Sequence, residues 1–161
     1  NPHYPNSWCR TLLSDIARYY QPATISSSEM SASGMYPVYG ANGIIGRYDK
    51  YNHDGKQILL TCRGATCGNV NISDGKCWIN GNAMVINPDY TGVDFEYFKL
   101  CCIILGQNKS IITGTAQPQI TRKSLDTIDI AIPPLNEQKR IVAKIEELYS
   151  ILDQIEASLR S

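Results

Sequence analysis

The residues that could do chemistry in this chain of 161 are two histidines, six cysteines and a scatter of serines and acids, and their placement argues against catalysis. His3 sits in a terminal tail and His53 in an Asn52-His53-Asp54-Gly55 turn, so no Ser or Cys nucleophile has a natural histidine base. Cys62, Cys67 and Cys77 are spaced like no zinc pattern, and Cys101 and Cys102 are adjacent on an apolar segment. All six read as reduced, small, mostly buried side chains, which points to a cytoplasmic compartment. Gly40, Gly43 and Gly46 precede no helix, so they are not a dinucleotide loop, and no Gly-x-x-x-x-Gly-Lys-Ser/Thr phosphate loop occurs. Ile132-Pro133-Pro134-Leu135 lacks the polar residue before its prolines that an amino-methyltransferase uses to hold a target amine. No cluster of two acids and a lysine suggests a metal nuclease, and no metal or cofactor is expected in this chain.

The hydrophobic fraction of 43% with 19% charged residues is that of an ordinary globular protein, long enough for one domain plus an appendage. The longest apolar run, Leu100 to Leu105, stops at Gly106, far short of the roughly 18 residues of a membrane helix. The opening residues lack the basic start and apolar core of a signal peptide, and the absence of an initiating Met suggests an excised or processed segment. Zero net charge weighs against a simple basic nucleic-acid binder. Its distribution softens that point: Lys99, Lys109, Arg122 and Lys123 fall in a stretch without a single acid.

The elements that must position these side chains indicate an α+β chain. From Pro5 to Ile132 short strands alternate with Gly-rich turns. The Tyr/Ile/Val-rich stretch from Tyr36 to Tyr51, then Gln57 to Thr61, Asn69 to Ile72 and Ala83 to Ile86, read as strands. One short helix is expected from Asp94, a plausible N-cap, to Leu105, with Phe95, Phe98, Cys101, Cys102 and Leu105 on one face. Ile128 to Ile132 alternates like a half-buried strand, and Pro133-Pro134 ends it.

Beyond the prolines the periodicity changes. With Asn136 as the expected N-cap, Ile141, Ile145, Leu148, Leu152, Ile155 and Leu159 follow at steps of 4, 3, 4, 3 and 4. Charged residues fill the other faces, and the seam is too narrow for a helix buried in its own domain. It predicts pairing with another helix, in the same parent chain or a second subunit. About 25 residues at 1.5 Å each span roughly 37 Å, close to one turn of B-DNA. The chain thus divides into a β-rich domain, residues 1–133, and a coiled-coil-type helix, residues 134–161.

At the junction, Ile132-Pro133-Pro134-Leu135-Asn136-Glu137-Gln138-Lys139-Arg140-Ile141 resembles the Pro-Pro-Leu-x-Glu-Gln-x-x-Ile segment of type I restriction-modification specificity subunits. Upstream, Tyr36 to Gly46 resembles the early hairpin of their target recognition domains, Arg63-Gly64-Ala65-Thr66-Cys67-Gly68 their glycine turn, and Gly114 to Ile120 their late loop. Pro5-Asn6-Ser7-Trp8 matches how such domains open. The resemblance covers nearly the whole chain in order. It implies a non-catalytic module that reads double-stranded DNA, with the final helix as conserved spacer. Methyltransferase subunits would add adenine-N6 methyl groups, and a restriction subunit would cut. S-adenosylmethionine, ATP and Mg would belong to those partners. Full subunits carry two recognition domains and two antiparallel helices, so one of each implies a half-subunit or fragment that pairs with another half or with itself.

The resemblance also suggests which side chains meet DNA. Arg63 is the first phosphate candidate, followed by Lys109, Arg122 and Lys123. Gln117 and Gln119 can present a donor and acceptor pair to adenine; Asn42 could do likewise, and Arg47 could address guanine. Asn42-Gly43 reads as a turn signal ahead of a base contact. Tyr36, Tyr39, Tyr48 and Tyr51 read as packing residues ahead of base-stacking ones. Two other readings stay open: a protein-interaction module with a β-rich head on an oligomerising helix, and the DNA-reading part of a larger restriction enzyme.

Overall fold

A computed structural model describes residues 4–114 and 116–160; His3, and Thr115 of the late loop, lie outside the described residues. Its centre is a four-stranded antiparallel sheet in the order β2 (Ala17–Tyr20), β8 (Ala83–Pro88), β5 (Gln57–Thr61) and β6 (Val70–Ser73). The unbroken apolar run Ile58-Leu59-Leu60 makes β5 the middle of the molecule, because it is buried on both faces. Ile58 and Leu60, with Met84 and Ile86 of β8, face the helix α2 (Phe95–Gly106) and its Phe98. Leu59 and Val85 face the other way, onto Ile79 and Tyr39. Those two belong to a second sheet, in the order β4 (Gly43–Tyr48), β3 (Tyr36–Gly40) and β7 (Trp78–Ile79). Helix, sheet and sheet therefore stack as three layers.

The expected strands at Gln57–Thr61, Ala83–Ile86 and Ile128–Ile132 occur, the last as β11 (Asp129–Ile132). The stretch from Tyr36 folds into the β3–β4 hairpin, where Gly43, at φ +110°, takes a conformation that L side chains rarely adopt. Its tyrosines pack: Tyr36 meets Tyr51 edge-on at 5.1 Å between centroids, and Tyr48 meets Trp78 at 5.2 Å. Asp94 caps α2 by accepting the Tyr97 N–H at 3.0 Å. α2 is not the sole internal helix, because single turns form at α1 (Leu13–Ile16) and α3 (Arg122–Leu125). The latter is closed by reciprocal hydrogen bonds between Thr121 and Ser124, both 3.1 Å.

The long helix α4 (Leu135–Leu159) begins one residue earlier than its apparent cap. Pro134, extended at φ −53° and ψ 145°, accepts the Glu137 and Gln138 N–H groups through its carbonyl, so Asn136 lies inside the first turn and is not the N-cap. Strand β1 (Cys9–Leu12) pairs antiparallel with β11, and Trp8 donates to Glu137 at 3.1 Å, which fastens the start of the domain to the root of the helix. Ile141 and Val142 pack on the core; beyond Ile145 the helix leaves the domain. Leu148, Leu152, Ile155 and Leu159 are 49%, 58%, 50% and 81% exposed, so the second half of the seam has no partner among the described residues.

Candidate nucleic-acid interface

The chain leaves β5 into a turn built on glycine. Gly64 and Gly68 adopt φ of +88° and +98°, and the turn is closed by the Cys67 N–H to Gly64 and the Gly68 N–H to Thr61. Gly68 also lies backbone-to-backbone against Gly106 at the end of α2. A Cβ on either glycine would overlap the carbonyl oxygen of the other. This close approach requires glycine at both positions.

Against the same turn lies the late loop. Strands β9 (Ile112–Thr113) and β10 (Gln119–Ile120) form a small hairpin with Thr113 opposite Gln119. The outer edge of β10 reaches the glycine turn: Arg63 and Gln119 form an antiparallel bridge, with the Gly64 N–H donating to Pro118 and the Ile120 N–H to Cys62, each at 3.0 Å. Arg63, Gln117 and Gln119 are thereby gathered at one end of the sheet, and Lys109, in the 3₁₀ turn Lys109–Ile111, leads into the same hairpin. Arg63, Lys109, Arg122 and Lys123 are exposed and form no ion pair among the described residues. A cation without a carboxylate partner is available to a phosphate.

The other candidates are placed differently. Asn42 sits at the tip of the β3–β4 hairpin, bordering a cleft shared with the glycine turn. Arg47 lies further along β4, where Nε and an Nη donate to the Gly34 and Met35 carbonyls, both at 2.6 Å. Its fork staples that backbone to the hairpin and is thereby occupied, against the expectation that it addresses guanine. Arg122 opens α3 beside a cleft lined by Arg18, Tyr19, Asp89 and Asp126, a mixed-charge surface. There the Tyr19 hydroxyl bonds Asp126, and burial, then this bond, pushes its pKa up to about 12.

Sequence reasoning passed over Asn69, Asn71 and Gln107, which line the same cleft as Asn42. Only the turn-forming glycine beside Asn69 hinted at them. Nor did sequence alone reveal the role of Gln138. It is fully buried; its Oε1 accepts the Asp94 N–H, and its Nε2 donates to the Gly92 and Pro133 carbonyls, all at 2.8 Å. One carboxamide thus locks α4 to the start of α2.

Among the described residues no group of three His, Cys, Asp or Glu side chains could hold a metal, and no helix is long and apolar enough to cross a membrane. The cysteines are free thiols; Cys9 departs from expectation in being exposed. Burial pushes the Cys101 pKa up to about 11, far from a reactive thiolate. His53 bonds the Tyr20 hydroxyl at 2.8 Å, and burial lowers its pKa.

Comparison with known proteins places the chain in a family. The chain is 28% identical over 124 residues to the type I restriction enzyme EcoprrI specificity subunit of Escherichia coli, covering 76% of this chain and 30% of that one. It is 31% identical over 134 residues to a putative type I restriction enzyme specificity subunit of Haemophilus influenzae, covering 79% and 33%. The chain therefore spans about a third of the length of these curated relatives. Its fold matches the S subunit of a type I restriction-modification system from M. genitalium, with TM-score 0.74, 16% identity and coverage of 97% of this chain and 43% of that one. It also matches the HsdS subunit of Thermoanaerobacter tengcongensis, with TM-score 0.76, 20% identity and coverage of 98% and 41%. The family model described as type I restriction modification DNA specificity domain matches residues 5–161, and the chain belongs to that family.

Proposed function

We propose that this chain is a DNA-reading half of a type I specificity subunit. Residues 1–133 read one half of a bipartite double-stranded site, and residues 134–161 form the spacer helix that sets the distance to a second half. The chain performs no reaction itself. It directs adenine methylation, and through the methyltransferase subunits restriction, by partners that carry S-adenosylmethionine, ATP and Mg. Its thiols suit the reducing cytoplasm.

The observation that carries this reading is the bridge between Arg63 and Gln119. It brings a cation free to bind phosphate alongside carboxamides able to address base edges, from two loops distant in sequence. Phosphate contacts fix register and amide contacts specify sequence, and DNA readers need both together. The exposed half of the α4 seam supports a helix partner, either a second copy or another half-subunit.

The test is methylation of random-sequence DNA by the chain reconstituted with its cognate methyltransferase subunit, with methylated adenines mapped by sequencing. The expected result is a short bipartite motif that disappears when the chain is omitted. Methylation without a motif, or no association with the methyltransferase, overturns the reading.

A further inference from the structure

We propose that the cleft between the β3–β4 turn, the glycine turn and the end of α2 is a base-reading pocket selective for an A·T pair, with Asn42, Asn69, Asn71 and Gln107 as its specificity-determining side chains. This rests on the DNA-reading function proposed above and adds the site and the base.

The cleft holds about 400 Å³, and no ionisable side chain lines it. Four carboxamides do, together with Gly68, Val70 and Ile103. Asn71 is fixed by donating its Nδ2 to the Ala41 carbonyl at 3.1 Å, which leaves its Oδ1 as an acceptor. Asn42, Asn69 and Gln107 have no side-chain hydrogen bond among the described residues. Uncommitted amides around an open cleft are poised for a ligand that both donates and accepts.

Electrostatics decides which part of DNA that is. Carboxamides can hydrogen-bond a phosphate too, but the cleft offers no cation to attract its charge. It also lies at the C-terminal end of α2, where the helix dipole is negative and an anion is disfavoured. A neutral base edge suits it. Among bases, guanine offers two acceptors to the major groove and calls for Arg or Lys, whereas adenine offers an N6 donor beside an N7 acceptor, the complement of a carboxamide. Ile103, 39% exposed on the cleft wall, gives an apolar neighbour to the methyl of the paired thymine. Gly68 belongs to both the cleft and the Arg63 turn, so a phosphate held by Arg63 would set the register in which the cleft reads.

The assembled methyltransferase complex tests this, with Asn69→Ala, Gln107→Ala and Asn69→Asp compared with wild type on randomised DNA. Each alanine variant should keep the motif except at one position where wild type requires an A·T pair, and there discrimination should fall about tenfold. Asn69→Asp, which keeps the shape but loses the donor to N7, should raise acceptance of cytosine there. Co-purification with the methyltransferase subunit, unchanged, shows that the variants fold. A wild-type motif left intact in all three variants overturns the pocket alone. A wild-type complex without sequence preference overturns the DNA-reading function, and the pocket with it.

Discussion

Arg63 and Gln119 face each other across an antiparallel bridge, a residue of the glycine turn held against a residue of the late loop. Their side chains differ in what they can contribute. Arg63→Ala should weaken DNA binding about equally for all sequences and reduce the slope of log K against log salt by about one. Gln119→Ala should leave that slope alone and lower the preference for the specific site. Fluorescence anisotropy on specific and random duplexes across a salt series, using the assembled complex, separates the two.

Gly68→Ala should destabilise the domain by at least about 2 kcal/mol, through a left-handed backbone and a Cβ that has nowhere to go against Gly106. Gly55, also left-handed at φ +85° but with open space around it, isolates the backbone contribution. Gly55→Ala should cost only about 1 kcal/mol. Urea denaturation of both variants checks the difference.

Removing the Gln138 carboxamide leaves one N–H and two carbonyls without partners, so Gln138→Ala should cost about 2–4 kcal/mol. Gln138→Glu gives a sharper test. A carboxylate can donate to neither the Gly92 nor the Pro133 carbonyl, whereas the protonated acid can donate to one of them, so the folded pKa of the new group is raised. The variant should match wild type most closely below the unfolded Glu value of about 4.3 and fall further behind as pH rises through the folded pKa. Stability measured relative to wild type at each pH reads this directly.

Leu148→Asp and Leu152→Asp place charge on exposed seam positions. They should weaken assembly and leave the melting temperature of the domain within about 2 °C of wild type. Sedimentation velocity and thermal melts decide it. Variants that unfold the domain with unchanged assembly would mean that the seam belongs to the internal core.

His53 is held neutral by burial, with its pKa below the ordinary 6.5. Its contribution is therefore complete above pH 6.5 and is lost as the pH falls through that value towards the lowered folded pKa. His53→Gln should remove this part of the acid sensitivity, visible as a flatter stability profile below pH 6.5.

The features legible in the sequence were those carried by local pattern. The segment Gln57–Thr61 declares a strand, Asp94 declares a helix start, and the spacing from Ile141 to Leu159 declares a seam, whose second half, from Leu148, the domain does not cover. What escaped depends on partners far along the chain. β1, β2 and β10 are only four, four and two residues long, and each exists because a distant strand or turn completes it. Gln138 reads as a polar helix residue until Gly92 and Asp94 close around it. Arg47 resembles a free guanidinium until the Gly34 and Met35 carbonyls occupy it. Asn69 and Asn71 lie at the start of β6, Asn42 in the β3–β4 turn and Gln107 at the end of α2, so nothing in their spacing marks a common cleft.

The pairing of β1 with β11 has a consequence for how such a module can change. Cys9 lies opposite Ile132, so the chain arrives at the body of the domain beside the place where it departs into α4. Everything between those two strands is held by this double-stranded stem and by the contacts of the first turns of α4, Gln138 foremost. A different body that kept the stem and a partner for Gln138 could replace it as a cassette, altering the sequence that is read while the helix and whatever grips it stay in register.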